Sequence, residues 1–174
     1  MENATLVAAD LLVERDLETK FGTWTEHLFR YADHDIVVLS FGAWRDQENV
    51  LVRTHSACLG GHYFWSVECD CREQLEAAFE RIVADGAGLI VLLDQEGRGN
   101  GHAAVMRVAP YARAYGCSHS VAYRALGYPE DGRSYLGAAV VLRKLGVTSV
   151  RLMTDNPAKI STLASHGLSV VSAE

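Results

Sequence analysis

Long apolar runs are missing from this chain. None approaches the ~20 residues needed to cross a bilayer, so no spanning helix is expected. The opening stretch MENATLVAADLLVERD has neither the basic start nor the small-residue cleavage site of a secretory leader, and a cytoplasmic location is expected. Clusters of Lys and Arg are missing too, and the formal net charge is -6. That balance argues against a nucleic-acid groove or an anionic membrane as partner, and leaves a small molecule. An anionic ligand would have to be met by a few local cations. Prolines number only three, and there is no repeat, low-complexity tract or linker.

What remains is an ordinary globular composition, 49% apolar and 22% charged over 174 residues. One domain covering 1–174 is expected. HDIVVLSF (34–41) and NVLVRT (49–54) read as strands, rich in β-branched residues. Leu75, Ala78, Phe79, Ile82 and Val83 follow helical spacing between Arg72 and Gly86, which is placed as the cap. AGLIVLLD (87–94) reads as a strand covered on both faces, ending in the glycine-rich loop QEGRGNG. Helices are expected over 102–116, interrupted at Pro110, over 132–146, and over 155–167 with Pro157 at its first position. In the second of these, Leu136, Ala139, Val140 and Leu142 are taken to face inward. Strands are expected at 148–153 and 168–171. The alternation gives an α/β or α+β fold, a central mixed sheet flanked by helices.

Chemistry concentrates in HSACLGGHYFWSVECDC, where Cys58, Cys69 and Cys71 are separated by ten residues and then one. Three thiols cannot all pair, and zinc accepts thiolates readily. Spacing alone leaves three readings open: a catalytic zinc with a free fourth position, a structural zinc for which His55 and His62 are the nearby fourth candidates while Cys117 is distant in sequence, and unbound cysteines. Glu96 and Arg98 flank a glycine past the buried strand, where open sheets bind ligands, and the competing reading is a solvated turn. Asp131 and Arg133 either serve chemistry or simply open a helix. Thr154, the following helix start and Lys159 make either an anion site or an ordinary cap.

Taken in order, RTHSAC, CDCREQL, DQEGR, DGR and MTDNPAK resemble the motifs of the GTP cyclohydrolase II family, from about Lys20 onward. The resemblance implies zinc ligation by Cys58, Cys69 and Cys71. It implies nucleotide contact at Arg53, Thr54, His55, Ser56, Gln74, Glu96, Gly97, Arg98, Thr154 and Lys159. Asp131 matches the proton acceptor and Arg133 the nucleophile toward the α-phosphate. In that family, zinc-bound water attacks C8 of guanine, formate leaves, and pyrophosphate is released with magnesium present. The members are cytoplasmic homodimers of riboflavin synthesis.

Departures cluster at substrate positions. Ala57 replaces a glutamate, Glu68 and Asp94 replace basic residues, and GHAAVM replaces a stretch containing a lysine. Tyr111 is the nearest match to the catalytic tyrosine, with Tyr115 close by, and His119 stands for a threonine near the guanine. Three outcomes follow: GTP ring opening, zinc chemistry on another heterocycle or stopping at a formamidopyrimidine, and a non-catalytic nucleotide binder with structural zinc.

Overall fold

The computed structural model describes residues 8–173. The opening residues 1–7, read above as lacking a leader, lie outside the described residues, as does 174. The strands are β1 (Ala9–Thr19), β2 (Gly22–Tyr31), β3 (His34–Gly42), β4 (Val50–Ser56), β5 (Ala87–Leu93), β6 (Ser149–Leu152) and β7 (Ser169–Ala173). The helices are α1 (Leu59–Tyr63), α2 (Cys71–Asp85), α3 (His102–Tyr115), α4 (His119–Ala125), α5 (Leu136–Lys144) and α6 (Pro157–Ser165), with a 3-10 turn at Glu96–Gly99. The chain falls into two compact units. The larger comprises the described residues up to His55, Glu76–Leu93, and those from Tyr135 on; the smaller comprises Ser56–Leu75 and Asp94–Ser134.

The larger unit is built on one seven-stranded sheet ordered β1-β2-β3-β5-β4-β6-β7. β1, β2, β3 and β5 pair antiparallel in succession, while β4, β6 and β7 pair parallel. The expected mixed sheet with flanking helices is therefore present. β5 is buried along almost its whole length, as its unbroken apolar run requires. Ile36, Val38, Leu89, Val91, Val150 and Leu152 meet Ala138, Val141 and Leu142 of α5 in the main core. Gly137 permits this approach, because a Cβ there would lie 2.6 Å from Ile36 Cδ1 and 3.1 Å from Tyr31.

Several expectations are corrected. The helix expected over 132–146 begins only at Leu136, and 132–135 remain loop. Its fully buried positions are Gly137, Ala138, Ala139, Val141 and Leu142, with Leu136 and Val140 half-buried at the margin. Val83 of α2 is exposed, since the helix buries a narrower stripe of Ala78 and Ile82. α3 runs without a break through Pro110. One lost backbone bond is outweighed there by a continuous face, Ala104, Val108 and Ala112, packed with Ala122 and Tyr123 of α4 in the smaller unit. α6 does start at Pro157, with Asn156 Oδ1 accepting from Ala158 N at 2.9 Å.

Gly137→Ala is expected to destabilise the protein by about 1–3 kcal/mol through overpacking. A urea unfolding midpoint equal to that of the wild type would show that α5 does not need this close approach.

Candidate functional site

Within the smaller unit the three expected thiols converge. The Sγ atoms of Cys58, Cys69 and Cys71 all lie within 4.8 Å of one another, Cys58 and Cys69 at 3.7 Å. All three are reduced and half-buried. Cys58 caps α1, its sulfur 3.4 Å from Gly61 N. Cys71 opens α2. Burial is the first cause that pushes the Cys58 and Cys71 thiols above their ordinary range, and for Cys71 the neighbouring sulfurs add to it. A divalent cation reverses that preference, because it binds thiolate and supplies the missing positive charge. The donor set therefore fits zinc. Gly61 closes the cradle: a Cβ there would stand 3.1 Å from Cys71 Cβ and 3.2 Å from Cys69 Sγ.

Among the described residues no fourth Cys, His, Asp or Glu joins the group. His62, one candidate for that place, instead accepts from Cys58 N at 3.3 Å through Nδ1. Two polar side chains hold the thiol loop, and one of them was missed in the sequence. Arg72, directly after the third cysteine, donates to the carbonyls of Gly61 and His62 at 2.6 and 2.7 Å, and its guanidinium lies 3.5 Å from the Trp65 ring centroid. Its adjacency to Cys71 was the available signal. Glu96 accepts from Leu59 N at 2.7 Å and sits 3.0 Å from His102 Nδ1.

The QEGRG turn and the DGR loop come together in the same unit. Gly97 and Arg98 both have positive φ, 62° and 56°, and Gly132 N donates to Arg98 O at 2.8 Å. Arg98 donates to Ser120 Oγ at 2.8 Å and lies 5.7 Å from the Tyr123 ring. Asp131 and Arg133 form a two-bond pair at 2.9 and 2.6 Å. Partial burial pushes the Asp131 carboxyl upward, but bonds and charge from Arg133 outweigh it and hold the group below its ordinary range. Asp131 is thus ionised at neutral pH. Gln74 donates to Asp70 at 2.9 Å.

Tyr111 is half-buried and tilted against Tyr115, with centroids 4.4 Å apart. Exposed His119 lines a cavity of about 320 Å³ with Glu68, Arg113 and Cys117. Glu68 is ion-paired with Arg113, which neutralises one of the two charge reversals; Asp94 is exposed.

The larger unit carries the other expected residues. Arg53 donates to Met153 O at 3.0 Å. Thr54, His55, Thr154 and Lys159 are buried. Lys159 Nζ donates to Thr54 O at 2.8 Å and lies 5.5 Å from the Tyr135 ring. The hydroxyls of Thr54 and, in the smaller unit, Ser56 are buried without a hydrogen-bond partner among the described residues. Orphaned hydroxyls of this kind cost free energy unless a ligand completes them.

Comparison with known proteins agrees with this geometry. The profile of the GTP cyclohydrolase II family matches residues 10–174. The riboflavin biosynthesis protein RibBA of Aquifex aeolicus is 44% identical over 163 residues, covering 89% of this chain and 39% of that protein. GTP cyclohydrolase-2 of Neisseria gonorrhoeae is 42% identical over 156 residues, covering 89% of this chain and 79% of that protein. The chain therefore spans about two fifths of the RibBA length and about four fifths of the Neisseria protein's. Among solved structures, RibBX, a two domain 3,4-dihydroxy-2-butanone 4-phosphate synthase from A. baumannii, aligns with a TM-score of 0.57 at 15% identity. That alignment covers 99% of this chain and 41% of the other. At such identity it speaks to the fold alone.

Gly61→Ala is expected to weaken zinc binding about tenfold to a hundredfold in chelator competition, as for other changes next to metal ligands. Far-ultraviolet circular dichroism should be unchanged. Undiminished affinity in a folded variant would show that α1 does not have to close on the thiols.

Proposed function

Because the chain belongs to the GTP cyclohydrolase II family, we propose that it opens the imidazole ring of GTP at C8. Formate and pyrophosphate are released, and 2,5-diamino-6-(5-phosphoribosylamino)pyrimidin-4-one is the product. The observation that carries this reading is the convergence of three thiols within 4.8 Å beside two ordered polar loops. Cys58, Cys69 and Cys71 would hold the zinc. When bound, zinc supplies Lewis acidity and a source of nucleophilic oxygen at neutral pH.

The remaining work falls to the chain's own groups. Asp131 is ionised and takes up a proton at its carboxylate. Arg133 is offered to the α-phosphate, and its two bonds to Asp131 are exchanged for phosphate oxygens when the nucleotide binds. Arg98, oriented by Ser120, presents a further cation, and Tyr111 supplies a phenol. Arg53, Thr54, His55, Ser56, Gln74, Glu96, Gly97, His119, Thr154 and Lys159 take up the nucleotide. The open hydroxyls of Thr54 and Ser56 support that role for their segment. Magnesium accompanies the pyrophosphate, and the working form is a cytoplasmic homodimer.

A second reading keeps the zinc chemistry but changes the heterocycle. The exposed carboxylate of Asp94 at the end of β5 favours it, since an acidic group there disfavours a triphosphate.

Zinc-loaded protein incubated with GTP should release formate and pyrophosphate together, measured by enzymatic formate assay and phosphorus NMR. Cys69→Ser should abolish both products. Asp131→Asn should cut turnover by about a hundredfold or more with zinc content unchanged. Turnover of another purine or pteridine but not of GTP would favour the second reading, and no turnover of any of them would leave only a binding protein.

A further inference from the structure

We infer that Ser40 is an activated nucleophile in a second site, on β1–β3, that transfers the acyl group of small carboxylic esters to water. This inference does not rest on the ring-opening reading. Three side chains from successive strands form it. Glu14 stands directly opposite His27 in the β1–β2 register, and Ser40 stands opposite Thr25, two residues along β2 from His27. Paired residues share a face, and so do residues two apart, so all three side chains emerge on one side of the sheet. His27 Nδ1 lies 3.1 Å from Glu14 Oε2, and His27 Nε2 lies 2.9 Å from Ser40 Oγ.

The chemistry of the three groups fixes the direction of the relay. An ionised carboxylate can only accept, so Nδ1 carries the ring proton. Nε2 is then left with its lone pair toward the hydroxyl of Ser40. That tautomer is the one a general base requires. The His27 ring is 1% exposed, and burial is the first cause holding it below the ordinary imidazole range; Glu14 opposes this and Arg45 adds to it. The ring is therefore neutral at neutral pH, which leaves Nε2 unprotonated beside the hydroxyl.

A place for the substrate lies beside the relay. Glu14, His27 and Ser40 line a cavity of about 540 Å³, together with Thr25, Trp44 and Arg45. Its size falls in the range of small-molecule sites. The Arg45 guanidinium, 4.6 Å from the Trp44 ring, brings a cation to the wall, which Gly42 and Ala43 of the turn after β3 also line. No residue of the thiol group, the QEGRG turn or the DGR loop takes part.

The reaction balances with water as the only co-reactant. Ser40 Oγ bonds to the ester carbonyl carbon while its proton passes to His27 Nε2. The bond to the alcohol oxygen breaks, and the alcohol leaves with that proton. Water then adds to the acyl carbon, giving a proton to Nε2. The acyl–Oγ bond breaks, the acid departs, and the proton returns to Ser40.

The intact protein is treated with an alkyl fluorophosphonate, in which Oγ–P bond formation expels fluoride, and adducts are mapped by mass spectrometry. The same protein is assayed with p-nitrophenyl acetate. A single adduct on Ser40 is expected, lost in Ser40→Ala, which should still turn over GTP as the unaltered protein does. Glu14→Gln, a change at a half-exposed side chain, should slow both labelling and ester hydrolysis at least tenfold. Absence of a Ser40 adduct, or equal rates in Glu14→Gln, would overturn the inference and leave the three residues as a cross-strand tie. If Ser40→Ala does not fold, the wild-type adduct map and the Glu14→Gln rates still decide.

Discussion

Three sulfur atoms held within 4.8 Å in a half-buried pocket are an unfavourable arrangement by themselves. Ionising more than one of them sets like charges side by side out of bulk water, and burial with neighbouring sulfur drives the Cys58 and Cys71 thiols toward the protonated form. The arrangement becomes favourable once a soft divalent cation joins it. Much of the smaller unit's local order serves this one constraint. Gly61 lets the short helix α1 close down, Arg72 ties that helix's carbonyls to the start of α2, and Glu96 fixes Leu59 beside the capping cysteine. A longer side chain at 61, or a shorter one at 72, would let the thiols drift apart.

Positive charge is used sparingly in this chain. The chain carries a net charge of -6, yet its expected ligand is anionic. Every cation singled out from the sequence is held by neighbours: Arg98 by Ser120, Arg133 by Asp131, Arg53 by Met153 O and Lys159 by Thr54 O. Such holding reduces the side-chain entropy lost when a ligand binds, and it orients each guanidinium beforehand. The pairing of Glu68 with Arg113 shows the same economy at a place where the sequence alone reads as a lost cation. Charge at one position is a poor guide to local potential when its partner lies 45 residues away in sequence.

Much of the fold was legible because its periodicities are strong. The buried strand β5 announces itself by seven apolar or small residues in a row, and α6 by Asn-Pro at its start. The three thiols stood out by their spacing, which left their role open, and the five motifs named the remaining candidates. β1 and β2 were not read. Apart from Ala9, every residue of β1 is exposed or half-buried, so its side chains alternate in no way that a hydrophobic pattern would register. Those strands are set by cross-strand pairing and by the turn at Gly22, whose φ is 103°. α4 was passed over because it has only seven residues, although Ser118 caps it by accepting from Val121 N. Pro110 misled in the other direction, since a buried helical face outweighs one missing donor. The Glu14–His27–Ser40 relay needs three dimensions to be seen at all, and the two carbonyls that Arg72 binds are likewise visible only in the fold.

Metal-edge X-ray absorption on the zinc-loaded protein reads the coordination shell directly. The account predicts three sulfur neighbours at about 2.3 Å together with one lighter oxygen or nitrogen donor. A shell of four sulfurs, or one dominated by nitrogen and oxygen, would contradict it.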